Sequence, residues 1–378
     1  MKESKQLRMF NQEKGFIDFE LSATTFRVTS GSWRNRILIA ILGAQAFIVP
    51  VFLVRHLREA LKNGLDLNLL LTVLFSFGYV QIILKVICAL LKRRYFVKLF
   101  AWIELLYREQ EADADLALIL EKHLVDSLNV WKLLLRCGVI SLASAAIVIC
   151  VKMRLDPKLG ITMNIPYLPS NHGLQKELAY LLQLIFMLTT SAYIILIDLS
   201  IIFLGLQIMA ALSILNDYIR ILDGMIKKYP DYLQTILKRH CDVIQNIHWL
   251  NKTVKEMSLA QFLCSTFILL LMFLFVRKEQ NQFAAYVLCF CGLIQIIALC
   301  LFGEFIRIKT ERLSTALYLT MWYELSLKDQ KIFLIILGMA QREYCLKAAG
   351  MYNINVYSFL QILKIAVSYC AILYTFSN

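Results

Sequence analysis

Residues 317–378 read LYLTMWYELSLKDQKIFLIILGMAQREYCLKAAGMYNINVYSFLQILKIAVSYCAILYTFSN. Two apolar runs of unequal length sit in this tail. The first, 332–340, ends before the charges at Arg342, Glu343 and Lys347 and is too short to cross a bilayer. The second, 356–376, carries Lys364 as its single charge and has the roughly 20 residues that a spanning helix needs. Six more runs of that kind lie upstream, at 37–54, 69–91, 133–151, 178–211, 259–276 and 283–306. The pattern predicts an all-α membrane protein with seven transmembrane helices.

Composition agrees. The 378 residues are 59% hydrophobic and 18% charged, and the mean hydropathy is +0.63, which speaks against a soluble enzyme. A net charge of +13 would suggest nucleic acid on a soluble chain; on an apolar one it marks cytoplasmic loops, and no nucleic-acid partner is expected. The N-terminal arm and the second, fourth and sixth connections hold roughly three times as many Lys and Arg as the other connections. The N-terminus is therefore expected in the cytoplasm and the C-terminus outside. MKESKQLRMFNQEKGF has no basic-then-apolar run with a cleavage site, so the first span is expected to do the targeting.

Residues 92–130 and 213–258 are mixed apolar and charged, with apolar positions recurring at three and four, and the latter breaks near Pro230. Both read as amphipathic helix carrying the spans into water. The expected organisation is an arm over 1–36, spans one to four over 37–211 with an outer loop at 152–177 rich in proline, a helical segment at 213–258, spans five and six over 259–306, a cytoplasmic part over 307–350 and a last span over 351–376. The Asn251, Lys252, Thr253 sequon falls on the cytoplasmic side and is expected to stay unmodified.

No catalytic constellation is visible. The cysteines sit inside apolar runs as small filler, and Cys289 and Cys291 lie about 200° apart around a helix, so they do not share a metal. His56, His123, His172, His240 and His248 lack partners at metal-ligand or triad spacing, and no glycine-rich phosphate loop occurs. No cofactor is expected. A G-protein-coupled receptor is disfavoured by the orientation, by the missing Asp-Arg-Tyr after span three and by the missing Asn-Pro-x-x-Tyr in span seven. A secondary transporter would show an internal repeat or paired broken spans, and neither is seen.

The tail resembles the C-terminal region of insect odorant receptors through Trp322 and Tyr323, Lys331, Gln341 and Arg342, Leu346 with Ala348 and Gly350, Phe359 with Leu363 and Lys364, and Ser368 with Tyr369. Glu343 stands where that pattern often has proline. The related gustatory receptors, with a Thr-Tyr and Gln-Phe ending, are the nearest alternative. The co-receptor of the odorant family has a larger insertion between spans four and five, so this chain looks like a tuning subunit. The resemblance implies a ligand-gated, non-selective cation channel in the plasma membrane of a sensory neuron dendrite, a heterotetramer with the odorant co-receptor in contact with membrane lipid. It also implies a central cytoplasmic anchor and a pore lined by the second half of helix seven.

Under that resemblance Ile372 and Phe376 fall at the hydrophobic gate and Thr375 at the filter, on one helix face. For Lys364 two readings stand, that it faces the pore, where it would oppose cations, or, the favoured one, that it pairs or snorkels at the level of the anchor. Lys85, Arg136 and Asp198 lie towards the cytoplasmic ends of their spans; Arg136 has Asp198 as a conceivable partner, and snorkelling is the expectation for both bases. A small volatile odorant is expected in the outer half of the bundle, against Phe75 and Tyr79, Ser144 and Ile147, Met187 and Ser191, and Tyr286 and Phe290. For each of these eight, ordinary helix packing is the competing reading.

Overall fold

The computed structural model describes residues 4–25, 33–64, 66–156, 159–163, 173–278 and 283–376. The seven apolar runs each fall within one helix: α2 (Trp33–Ala60), α3 (Leu67–Leu91), α5 (Ala114–Leu155), α6 (Gly173–Arg220), α8 (Tyr232–Lys278), α9 (Phe283–Tyr318) and α11 (Val356–Phe376). Among the described residues, five of these, α2, α3, α5, α6 and α8, are long and apolar enough to cross a membrane by length and composition, and α11 holds a shorter apolar stretch over Val356–Tyr369.

The remaining helices belong to the polar parts of the chain. They are α1 (Lys5–Thr24), α4 (Arg93–Arg108), α7 (Leu222–Lys228) and α10 (Leu327–Ala340). Helix α1 was not foreseen from the arm; it is ordered by Phe10 and Ile17, which pack into the main core two turns apart. Helix α4 buries Phe96, Leu99, Ile103, Leu106 and Tyr107 at spacings of three and four, the stripe its sequence shows. It stops at Glu109, and α5 restarts after Asp113, whose carboxylate accepts from the Asp115 amide at 3.0 Å as an N-cap.

At 48 and 47 residues, α6 and α8 rise about 70 Å, more than twice the ~30 Å hydrocarbon core. Their polar extensions pack with α1, α4, α5 and α9 around the largest core cluster, which includes Leu124, Leu128, Trp131, Leu212, Leu215, Leu250, Leu317 and Phe333. Helix α6 is the central post of the bundle. At Gly205 it meets the Phe302 ring of α9 so closely that any Cβ would collide with it. The outward faces of α2 and α5, by contrast, expose Phe47, Ile41, Val51, Leu133 and Ile140, as suits surfaces solvated by lipid.

Among the described residues, one element departs from the all-helical expectation. β1 (Lys347–Ala348) and β2 (Tyr352–Asn353) form an antiparallel two-residue ladder between α10 and α11. Ala349 and Gly350 turn it with φ of 54° and 77°, and glycine takes the second of these without strain. The hairpin is clasped to α8: Lys347 N–H donates to Asn251 Oδ1 at 2.8 Å and Ala349 N–H to the Lys255 carbonyl at 3.0 Å.

Candidate functional site

A cavity of ≈ 160 Å³ lies between α3, α5, α6, α8 and α9. Its walls are apolar: Leu74, Phe75 and Ile82 from α3, Ala145, Ala146 and Ile149 from α5, Met187, Ile194 and Ile197 from α6, and Ile268 and Met272 from α8. Helix α3 presents positions 74, 78, 81, 82 and 85 to it, a stripe at helical spacing. That volume is below the roughly 300–1,000 Å³ of drug-sized pockets, and its chemistry fits a small ligand held by dispersion and shape.

Four of the eight expected pocket residues, Phe75, Tyr79, Met187 and Ser191, line this cavity together. Ser144 and Ile147 lie instead on the exposed side of α5, where the Ser144 hydroxyl donates to the Ser141 carbonyl at 2.8 Å. The face of α5 turned to the cavity is that of Ala145, Ala146 and Ile149. Tyr286 and Phe290 are exposed on α9, whose contribution is Gly292 and Gln295.

Not foreseen were Gln81, Gln295, Thr190 and the ammonium of Lys85, which give the cavity its polar features. Thr190 Oγ1 donates to the Phe186 carbonyl at 2.6 Å and accepts from the Tyr79 hydroxyl and from Gln45 Nε2, the latter at 3.0 Å. Ser191 donates to the Met187 carbonyl at 2.8 Å. Lys85, fully buried, pairs with Asp198 at 2.5 Å across α3 and α6. The snorkelling expected of Lys85 is thereby corrected: its side chain turns into the bundle, where the partly exposed carboxylate of Asp198 satisfies the charge. Arg136 is exposed on α5 and has no ion pair among the described residues.

Helix α11 opens with Asn355, whose Oδ1 accepts from the Ser358 amide at 2.8 Å. One face, through Phe359, Ile362 and the fully buried Ala366, packs on Leu269, Ile296 and Cys300 of α8 and α9. The opposite face, with Leu360, Lys364, Ser368 and Ile372, is exposed along its length. Lys364 has no ion pair or hydrogen bond among the described residues. Ile372 is about half exposed on that stripe; the side chains of Thr375 and Phe376 lie outside the described residues. Where Ile354 leads into α11, its carbonyl sits against Gly303 of α9 at a distance no Cβ would permit.

The polar extensions hold a second electrostatic centre. Arg239 on α8 grips Glu109, at 2.7 and 3.1 Å, and Glu111 in the break between α4 and α5, and Lys228 pairs with Asp113 at 2.5 Å. Burial pushes the Glu109 carboxyl up against the opposing pull of Arg239, while the Lys228 bond lowers that of Asp113. His240, buried with its Nδ1 unbonded, is pushed down to about 4 by desolvation.

The sequence model described as 7tm Odorant receptor matches residues 66–367. Odorant receptor Or2 of Anopheles gambiae is 27% identical over 145 residues, 37% of this chain and 38% of that one. Odorant receptor 33b of Drosophila melanogaster is 23% identical over 137 residues, 35% and 36% of the two chains. The alignments thus span less than two-fifths of these curated relatives. The fold is similar to that of the insect olfactory receptor OR5 from Machilis hrabei, with a TM-score of 0.77 at 14% identity over 97% of this chain and 98% of that one. The same receptor in complex with eugenol matches at a TM-score of 0.74, again at 14% identity, over 98% of both chains.

Proposed function

Because the chain belongs to the 7tm odorant receptor family, we propose that it is the odorant-binding subunit of a ligand-gated, non-selective cation channel. The cavity between α3, α5, α6, α8 and α9 is the volatile's site, and its convergence of Phe75, Tyr79, Met187 and Ser191 from separate helices is the observation that carries this reading. Binding there favours an open arrangement of α11, whose exposed stripe lines the pore, with Ile372 and Phe376 as gate and Thr375 as filter. An odorant can shift that equilibrium only by the difference between its affinities for the open and closed arrangements.

The N-terminus is cytoplasmic and the C-terminus outside, in a dendritic plasma membrane. The polar helical extensions form the anchor at which this chain meets the odorant co-receptor in a heterotetramer. Whole-cell current in a heterologous cell under a panel of volatiles, with G-protein signalling blocked, tests the proposal. The expected result is current that requires both this chain and the co-receptor. Current from this chain alone under tastants, or none under volatiles with both subunits at the cell surface, would overturn it.

A further inference from the structure

The hydrogen-bonding groups around the cavity divide into those already used and those left open. Tyr79 spends its hydroxyl proton on Thr190, and Thr190 spends its own on the Phe186 carbonyl. Lys85 is matched by Asp198, so the ionic groups at this end of the cavity balance.

Gln81 is different. It is 4% exposed, lines the cavity one helical turn from Lys85, and its side-chain amide makes no hydrogen bond to any described residue. The side chain of Gln295 faces the same space from α9 and is likewise unbonded among the described residues. An amide kept in an apolar pocket without a partner costs stability and discriminates between ligands that do and do not complete its bonding.

From this we infer that the cavity selects neutral volatiles with an apolar body and one hydrogen-bond acceptor, such as a ketone, ester or alcohol oxygen, which accepts from the Gln81 amide. The inference rests on the reading of this cavity as the odorant site. Plain hydrocarbons leave the amide unpaired. Carboxylates bring a charge into a site whose one cation is already neutralised, and so lose hydration without a free counter-ion.

Displacement of N-phenyl-1-naphthylamine from the full chain in lipid nanodiscs tests it, with octane, 2-octanone, 1-octanol and octanoate as competitors. In the parent protein the ketone and the alcohol are expected to displace the probe at about tenfold lower concentration than octane, the worth of one buried hydrogen bond. Octanoate is expected to be no better than octane. Gln81→Leu should bring the ketone and alcohol to the octane value, whereas Gln81→Asn, which keeps the amide, should retain part of the gap. Comparing the octane-to-ketone ratio between parent and variant cancels partition into lipid. Gln81→Leu replaces an unpaired amide by an apolar group and is expected to melt no lower than the parent; Gln81→Met provides a second, unbranched replacement.

A gap that survives in Gln81→Leu and Gln81→Met, or is absent from the parent, overturns the inference. Gly78→Leu separates this from the site itself, because a Cβ at Gly78 meets no atom within 4 Å and a larger side chain fills the cavity. If Gly78→Leu abolishes displacement while the Gln81 variants keep the gap, the inference fails and the odorant site stands. Displacement that persists unchanged in Gly78→Leu removes both.

Discussion

Lys85 and Asp198, one on α3 and one on α6, form an ion pair at 2.5 Å whose lysine is fully enclosed by the bundle. Removing one partner strands the other charge at a cost of several kcal/mol, whereas removing both is often neutral. Lys85→Met is therefore expected to destabilise the subunit by about 3 kcal/mol, the low end of that range because Asp198 keeps some exposure. Lys85→Met with Asp198→Leu should recover most of the loss. Thermal unfolding in detergent checks this, and equal melting of single and double variants would show that the two residues are uncoupled.

The join into α11 depends on Gly303. Since the Ile354 carbonyl occupies the place of a Cβ, Gly303→Val must push the start of α11 away from α9. Overpacking of this kind costs about 1–3 kcal/mol. The expected outcome is a lower melting temperature together with altered basal current, while Gly338→Ala, inside α10 with open space around it, should leave the basal current unchanged and melt no lower.

His240 sets an acid limit on the polar helical domain. Its folded pKa of about 4 lies below the unfolded value of about 6.5, so the unfolded chain takes up the proton first as pH falls. The contribution to stability is full above about pH 6.5, is lost progressively towards pH 4 and levels off below that, with a total on the order of 3 kcal/mol. His240→Phe should flatten this limb in a melting-temperature profile from pH 7 to 4. A profile of unchanged slope would assign the acid sensitivity elsewhere.

The stripe on α11 that faces away from α8 and α9 carries Ile372, and on the proposed function four such residues narrow the pore. Ile372→Ala is expected to raise the current measured without odorant, and Thr375→Ala to change the relative permeability of sodium and potassium with the basal current unaltered. Loss of surface expression in both variants, with no change in current per channel, would withdraw the gate and filter assignments.

Asn251 is expected to remain free of glycan. Its amide oxygen already accepts from Lys347 N–H, and Thr253, the third residue of the sequon, is fully buried in α8. Glycosidase treatment of the protein from an insect cell should leave its electrophoretic mobility unchanged; a shift would place this part of α8 on the outer side of the membrane.

The spans were legible because apolar runs of about 20 residues have few other solutions. The tail was legible to the level of its family, and the matching family model falls on the odorant rather than the gustatory branch. What the sequence could not supply was rotation. In a helix surrounded by lipid and other helices both faces are apolar, so nothing distinguishes Ala145 and Ala146, which line the cavity, from Ser144 and Ile147, one step of 100° away. Tyr286 and Phe290 follow the same logic against Gly292 and Gln295. Size was also misleading, because aromatic and Met side chains attract attention while glycine and alanine create the space. Gln81 and Lys85 carried a signal that could have been used: polar side chains within a span are expensive and turn towards a partner or a cavity.

Helix α8 runs as one rod from Met272 at the cavity wall to Asn251 and Lys255, where it grips the hairpin that leads into α11. The 21 helical steps from Asn251 to Met272 span about 32 Å without an intervening break. On the proposed function such a rod would act as a lever: a tilt imposed at its outer end by a molecule wedged against Met272 would displace the clasp, and with it the root of α11, in a single rigid movement. Communication between the two ends then needs no chain of side-chain rearrangements, and substitutions along the middle of α8 should matter for response chiefly through their effect on the stiffness of that rod.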